Sequence, residues 1–133
     1  MSVDRIRQAR ENYFKKKPFD PHETSLLAHD LNGMPSGFLT LPDMGEMQVV
    51  AMKFGYEFLA TCTDDDDVDE WLGMVGKTAQ SPELMGIMLA HAFRGIAPLV
   101  ATTIDTTPGL RDTMQRISAD GWEKDFSNPE ENL

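Results

Sequence analysis

Residues 64–70 hold six carboxylates in seven positions, a density that could serve as a calcium site. An EF-hand loop supplies oxygen ligands from positions one, three and five. It also needs glycine at position six and a bidentate glutamate at position twelve. Counted from Asp65, position six is Glu70 and position twelve is Gly76. Because the pattern fails at both of these positions, we predict no metal site and no cofactor here.

The same carboxylates suit the start of a helix and a surface for a basic partner. Acidic side chains in the first turn gain about 0.3–1 kcal/mol each from the helix dipole, before their mutual repulsion is subtracted. They precede an apolar helical pattern, so we expect them to stay in water. We predict a partner-binding site made of this acidic run and the aromatic residue after it: Asp64, Asp65, Asp66, Asp67, Asp69, Glu70 and Trp71.

Three histidines and one cysteine are the other residues with catalytic or metal-binding potential. His22 and His29 are seven residues apart, whereas zinc ligands on one helix are usually four apart, as in HExxH. His91 lies in the most apolar segment, and neither it nor Cys62 belongs to a recognisable catalytic motif. We therefore predict no catalytic residues and keep a small enzyme as an alternative. Its candidate residues are His91, or Asp20 with His22 and Glu23.

The formal net charge of −10 is divided unevenly along the chain. Residues 1–17 hold six Lys/Arg and two Asp/Glu, whereas residues 18–133 hold six Lys/Arg and twenty Asp/Glu. A body this acidic repels phosphates, so we predict that it does not bind nucleic acid directly. A basic first helix beside an acidic body favours an intramolecular contact, weak self-association that is stronger at low salt, or an external partner.

A length of 133 residues with 41% hydrophobic residues is typical of one folded domain. A single cysteine permits no internal disulfide, and the first ten residues lack the apolar stretch of a secretion signal. We therefore expect a cytoplasmic protein. Residues 84–104 are weakly polar but include Arg94, and an arginine at the centre of a membrane span costs about 2.5–3.5 kcal/mol. We interpret that segment as buried core and predict no membrane contact.

Capping signals and helical apolar spacing predict five or six helices. The second of them rests on Asp20-Pro21-His22-Glu23, which combines a cap, a proline at the first helical position and a capping-box acid. The predicted helices span about residues 2–16, 20–33, 46–61, 64–76, 82–98 and 107–120. Residues 34–41 are a loop or one short strand, and residues 99–104 are a strand or a helix continuation.

Residues 46–61 allow two interpretations. As a strand they alternate large and small side chains, and residues 42–45 would form a hairpin turn. As a helix they begin with a capping box of Asp43 and Glu46. We favour the helix because sixteen residues is long for a strand. An α+β fold with a hairpin at residues 37–61 remains the alternative.

We predict a mostly α protein, a compact bundle of five to six helices. Its parts are a basic N-terminal helix packed on the body (1–17), a helical core domain (18–122) and an acidic flexible tail (123–133). Its predicted function is non-enzymatic: an adaptor, assembly chaperone or inhibitor that binds a protein with a basic surface.

Two further patterns sharpen this prediction. A nucleic-acid mimic, the alternative inhibitor, requires Asp43, Glu46 and Glu57 to join the acidic run on one face. The chain also contains nine methionines, which fill irregular cores and line adaptable binding grooves. A methionine-lined groove here would be an apolar patch rimmed by carboxylates.

Overall fold

The computed structural model describes residues 3–124 and is mostly α-helical, as predicted. Its elements in chain order are α1 (Val3–Lys16), β1 (Thr24–His29), β2 (Pro35–Leu41), α2 (Met44–Thr61), α3 (Asp65–Ala79), α4 (Pro82–Thr106) and α5 (Leu110–Glu123). The chain divides into two compact units, with the boundary between Ile96 and Ala97. Ser2, at the start of the predicted first helix, and the predicted tail beyond Lys124 lie outside the described residues.

The first unit is built around α2, which supplies four residues of the buried core. The core residues recur every three or four positions, so each helix turns one apolar stripe inward. They are Met47, Val50, Ala51, Phe54, Trp71, Val75, Ala79, Met88 and Ala92. Met47 and Met88 are fully buried, so core filling accounts for these two methionines.

The helical interpretation of residues 46–61 is confirmed. The Asp43 carboxylate caps α2 by accepting a hydrogen bond from the backbone N–H of Glu46 at 2.8 Å. Glycine then allows α2 and α4 to approach closely. A Cβ at Gly55 would lie 2.8 Å from the carbonyl oxygen of Ala92, and one at Gly95 would lie 2.6 Å from Met52 Cγ.

The predicted helix at residues 20–33 is wrong, because this segment forms the first strand of a hairpin. The Asp20 carboxylate accepts a hydrogen bond from the backbone N–H of His22 at 2.8 Å, which closes an Asx turn instead of capping a helix. The antiparallel strands pair Leu26 with Leu39 and Leu27 with Phe38. The strand interpretation of residues 34–41 is confirmed, whereas the alternative hairpin at 37–61 is misplaced.

Helix α4 continues through Pro98 to Thr106, so residues 99–104 are a helix continuation. The prediction that residues 84–104 are buried core is wrong for most of this segment. Among the described helices α4 alone has the length and mean hydropathy, 1.6, to cross a bilayer, and 17% of that window is buried. Soluble core helices share that length and composition, so the match is weak evidence of a membrane span.

The second unit contains the end of α4 and α5. Gly109, with φ of 77°, lies directly before α5. Within this unit Arg111 Nε donates to a carboxylate oxygen of Asp105 at 2.9 Å, which links the two helices across the turn. Helix α5 ends at Glu123 and therefore passes the predicted stop at Asp120-Gly121.

Candidate interaction surfaces

Two carboxylates of the acidic run are part of the start of α3. The Asp64 side chain accepts a hydrogen bond from the backbone N–H of Asp67 at 2.9 Å. In return, Asp67 Oδ2 accepts from both the backbone N–H and the hydroxyl of Thr63, each at 3.0 Å. These hydrogen bonds, the backbone one first, lower the pKa of Asp67. Asp64 and Asp67 therefore shape the helix N-terminus.

The other members of the acidic run form a solvated negative surface. Asp65, Asp66 and Asp69 are exposed, and within residues 3–124 no hydrogen bond or ion pair engages their carboxylates. Glu70 accepts a hydrogen bond from Arg7 on α1 at 3.3 Å, and both side chains are about half exposed or more. Within the acidic run, the carboxylates without a hydrogen bond or ion pair to a described residue are thus those of three aspartates.

Trp71 lies in the core and not on the surface, which corrects its inclusion in the predicted binding site. It is 4% exposed, and its indole Nε1 donates to the carbonyl oxygen of Phe54 at 2.9 Å. Its ring centroid lies 5.0 Å from that of Phe58. The apolar spacing that begins at Trp71 therefore marks the buried stripe of α3 and supplies no apolar contact for a partner.

The remaining acids do not join the acidic run on one face, as nucleic-acid mimicry requires. Asp43 and Glu46 lie at the start of α2, whereas the run follows its end, and eighteen helical residues span about 27 Å. Glu57 is turned to α1, where Arg10 Nη1 donates to both carboxylate oxygens at 2.6 and 2.7 Å. The positions of these three acids therefore do not support the alternative of a nucleic-acid mimic.

The basic helix α1 packs against α2 in the same chain. The Arg10–Glu57 ion pair is largely shielded from water, with side chains 15% and 11% exposed. The Lys53 ammonium lies 4.8 Å from the ring centroid of Tyr13. The Arg10–Glu57 and Arg7–Glu70 pairs join basic residues of α1 to acidic residues of α2 and α3, and the intramolecular contact was one of the three alternatives that the charge distribution left open.

The hairpin carries a second surface, which we call the hairpin surface: Leu26, Leu27, Phe38 and Leu39. Directly paired residues point to the same face of a sheet, so Leu26 and Leu39 lie on one face and Leu27 and Phe38 on the other. All four are 49–76% exposed. In the described residues the sheet has two strands, so both edges lack a neighbour. Each face of this hairpin therefore presents a pair of large apolar side chains that no residue between Val3 and Lys124 buries.

Four carboxylates and one lysine, Lys17, line a hollow of about 530 Å³ at the base of the hairpin, so carboxylates outnumber cations there. We call it the carboxylate hollow: Asp20, Glu23, Asp43 and Glu46. Reduced hydration and then the negative charges of Glu46, Asp43 and Asp20 raise the pKa of Glu23. Sequence reasoning did not bring these four residues together because it placed the pair Asp20 and Glu23 and the pair Asp43 and Glu46 at the starts of two separate helices. The strand pairing of Thr24 with Leu41 brings them together.

The candidate catalytic residues are dispersed. His22 Nδ1 lies 2.6 Å from the Thr40 hydroxyl at the surface, and His91 is half-buried on α4. Burial, followed by the charges of Asp67 and other acids, raises the pKa of the Cys62 thiol, which favours the unreactive thiol form. Between Val3 and Lys124 no three His, Cys, Asp or Glu side chains are arranged to hold a metal ion.

Comparison with known proteins adds no relative: no family model, no curated protein and no solved structure matches this sequence. We therefore infer function from the surfaces alone. Two surfaces on which the proposal rests are the hairpin surface, with the carboxylate hollow beside it, and the exposed aspartates at the start of α3.

Proposed function

We propose that this chain is a non-enzymatic cytoplasmic interaction domain whose partner is a protein with a basic surface. The observation that carries the proposal is the apolar hairpin surface beside the carboxylate hollow. A two-stranded hairpin is marginally stable in water unless another element covers its apolar side chains. Unpaired strand edges also offer backbone groups to an added strand.

The chemistry of the two features defines the partner. An apolar segment of the partner covers one face of the hairpin, either Leu26 and Leu39 or Leu27 and Phe38. Lysine or arginine residues beside that segment enter the carboxylate hollow. Reduced hydration and then carboxylate repulsion raise the pKa of Glu23, and the partner's positive charge offsets the repulsion, so binding and ionisation of this carboxyl reinforce each other.

The exposed aspartates of the acidic run have a separate role in this proposal. Asp65, Asp66 and Asp69 carry negative charge without an ion pair to a described residue, so their field extends into solvent. Such fields accelerate the encounter with a basic partner and weaken with added salt. We assign the hairpin surface to binding and these three aspartates to steering.

Affinity capture from the native host, followed by quantitative mass spectrometry, tests the proposal with matched variants. Phe38→Ser removes an exposed aromatic ring from the hairpin, and Trp122→Ser removes one from α5, where the side chain is 90% exposed. Glu23→Gln with Glu46→Gln neutralises the hollow. Its charge-matched control, Glu11→Gln with Glu83→Gln, changes exposed glutamates elsewhere.

The proposal predicts a partner that the wild type and both controls retain and that both hairpin-side variants lose. Circular dichroism confirms beforehand that every variant is folded. A set of bound proteins that is identical for Phe38→Ser and the wild type would contradict the proposal, because the apolar surface would then contribute nothing to recognition.

A further inference from the structure

An apolar groove of about 440 Å³ lies between α1 and α2, and it shares only Tyr13 with the lining of the carboxylate hollow that the proposed function uses. Val50 and Phe54 form its floor and are 1% and 3% exposed, so the floor belongs to the buried core. Ile6, Tyr13 and Phe14 of α1 line its wall. The volume of the groove and its apolar lining are typical of small-molecule binding sites. Such sites place a few polar groups around an apolar interior.

The charged groups of the groove leave one positive charge without a counterion. Lys53 and Glu57 are four residues apart on α2 and could pair along the helix. Arg10 instead holds both oxygens of Glu57, at 2.6 and 2.7 Å. Within the described chain no carboxylate forms a salt bridge with the Lys53 ammonium, which rests 4.8 Å from the Tyr13 ring centroid. The groove is thus locally positive in a protein of net charge −10.

We propose that this groove binds a small amphiphilic carboxylate, such as a medium-chain fatty acid. Its apolar body lies on Val50 and Phe54 between the walls of α1 and α2. Its carboxylate accepts hydrogen bonds from the Lys53 ammonium, which has three N–H donors and can remain over the Tyr13 ring. The Arg10–Glu57 pair stays intact, and it prevents Glu57 from repelling the ligand.

The head group, and not only the apolar body, selects the ligand. Octanoate, octanol and octylamine share one alkyl chain and differ in charge. Heteronuclear NMR titration of the full chain, with isothermal calorimetry for affinity, compares the three compounds. We expect saturable one-to-one binding of octanoate with shifts confined to α1 and α2, binding of octanol weaker by about tenfold, and no binding of octylamine.

Two variants, with one control, test whether the ligand binds in this groove. Lys53→Met weakens octanoate binding about tenfold, the loss expected for one charge-assisted hydrogen bond, whereas Lys77→Met on α3 leaves it unchanged. Ala9→Phe fills the groove from α1, where Ala9 is exposed, and abolishes binding of both octanoate and octanol.

Three results would overturn the proposal. They are octanoate shifts that do not saturate, equal affinity of the wild type and Lys53→Met for octanoate, and octanoate binding that persists in a folded Ala9→Phe variant. Equal affinity of the wild type and Lys53→Met would mean that the groove binds octanoate without the Lys53 ammonium.

Discussion

Replacing Gly55 by alanine tests the close backbone approach of α2 and α4 in the first unit. A Cβ at this position would meet the carbonyl oxygen of Ala92 at 2.8 Å and Ile96 Cγ2 at 2.9 Å. Real Cβ atoms essentially never approach within 3.0 Å, so something must shift. The oxygen belongs to the backbone of α4 and cannot rotate away as a side chain can. Relief therefore requires α2 and α4 to separate.

The magnitude follows from two opposing effects. Alanine favours a helix interior over glycine by about 1 kcal/mol, whereas overpacking a filled core costs about 1–3 kcal/mol. Gly73→Ala on α3 is the matched control, because a Cβ there meets nothing within 4 Å. Both variants gain the same helix preference. The difference between their free energies of unfolding, about 1–3 kcal/mol, therefore isolates the cost of the contact.

Urea unfolding followed by circular dichroism at 222 nm gives both free energies, with the slope m checked for constancy among the variants. We expect Gly73→Ala to be slightly more stable than the wild type, and Gly55→Ala to be the less stable of the two variants. Equal stability of the two variants would refute the close approach of α2 and α4 at this glycine.

Three other outcomes follow from the structure. Met88→Ala should cost about 2–5 kcal/mol because this side chain is fully buried, whereas Phe38→Ser, 76% exposed, should stay within about 0.5 kcal/mol of the wild type in the same unfolding assay. Trp71→Phe should cost about 0.5–1.5 kcal/mol through the lost indole hydrogen bond, and a neutral result would contradict that bond. Because hydrogen bonds from Thr63 lower the pKa of Asp67, its stabilising contribution is present above the ordinary value of 3.8 and is lost as pH falls through the folded-state pKa. Asp67→Asn should therefore reduce the loss of stability on acidification, measured by thermal unfolding at a series of pH values from pH 6 downward through the acidic range; an unchanged pH profile would exclude this role.

Helices whose signals are local could be predicted from sequence. The Asp43 and Asp64 carboxylates cap α2 and α3 through backbone N–H groups three residues ahead, so short patterns indicated both starts. The interpretation of residues 46–61 as a helix also rested on the length of the segment, because sixteen residues is longer than an ordinary strand. For these elements sequence and structure agree because the decisive contacts lie within one turn.

The hairpin could not be predicted because its determinants are not local. Both faces of the hairpin are apolar, so the segment lacks the alternation of a half-buried strand. The residues before β1, Asp20 to Glu23, resemble the start of a helix. Only the pairing of β1 with β2 shows that the segment is a strand. The prediction that Trp71 belongs to a surface binding site failed for a related reason. Charged neighbours in the sequence do not determine which face of a helix is buried. The carboxylate hollow likewise required the tertiary structure.

The α1–α2 groove depends on a choice of partner that sequence spacing cannot decide. Lys53 and Glu57 have the spacing of a helical ion pair, but Arg10 lies forty-seven residues from Glu57 in the chain and takes its carboxylate. A long-range contact thus determines which charge remains available. The same holds for the acidic run, where hydrogen bonds separate the capping carboxylates from the solvated ones.

The central claim is that the hairpin surface binds a partner while the exposed aspartates steer it. Biolayer interferometry of the captured partner against three forms of the chain, over a series of salt concentrations, separates the two roles. We predict that Phe38→Ser mainly accelerates dissociation, and that Asp65→Asn with Asp66→Asn and Asp69→Asn mainly slows association and flattens its salt dependence. Dissociation and association rates of both variants equal to those of the wild type would contradict the claim.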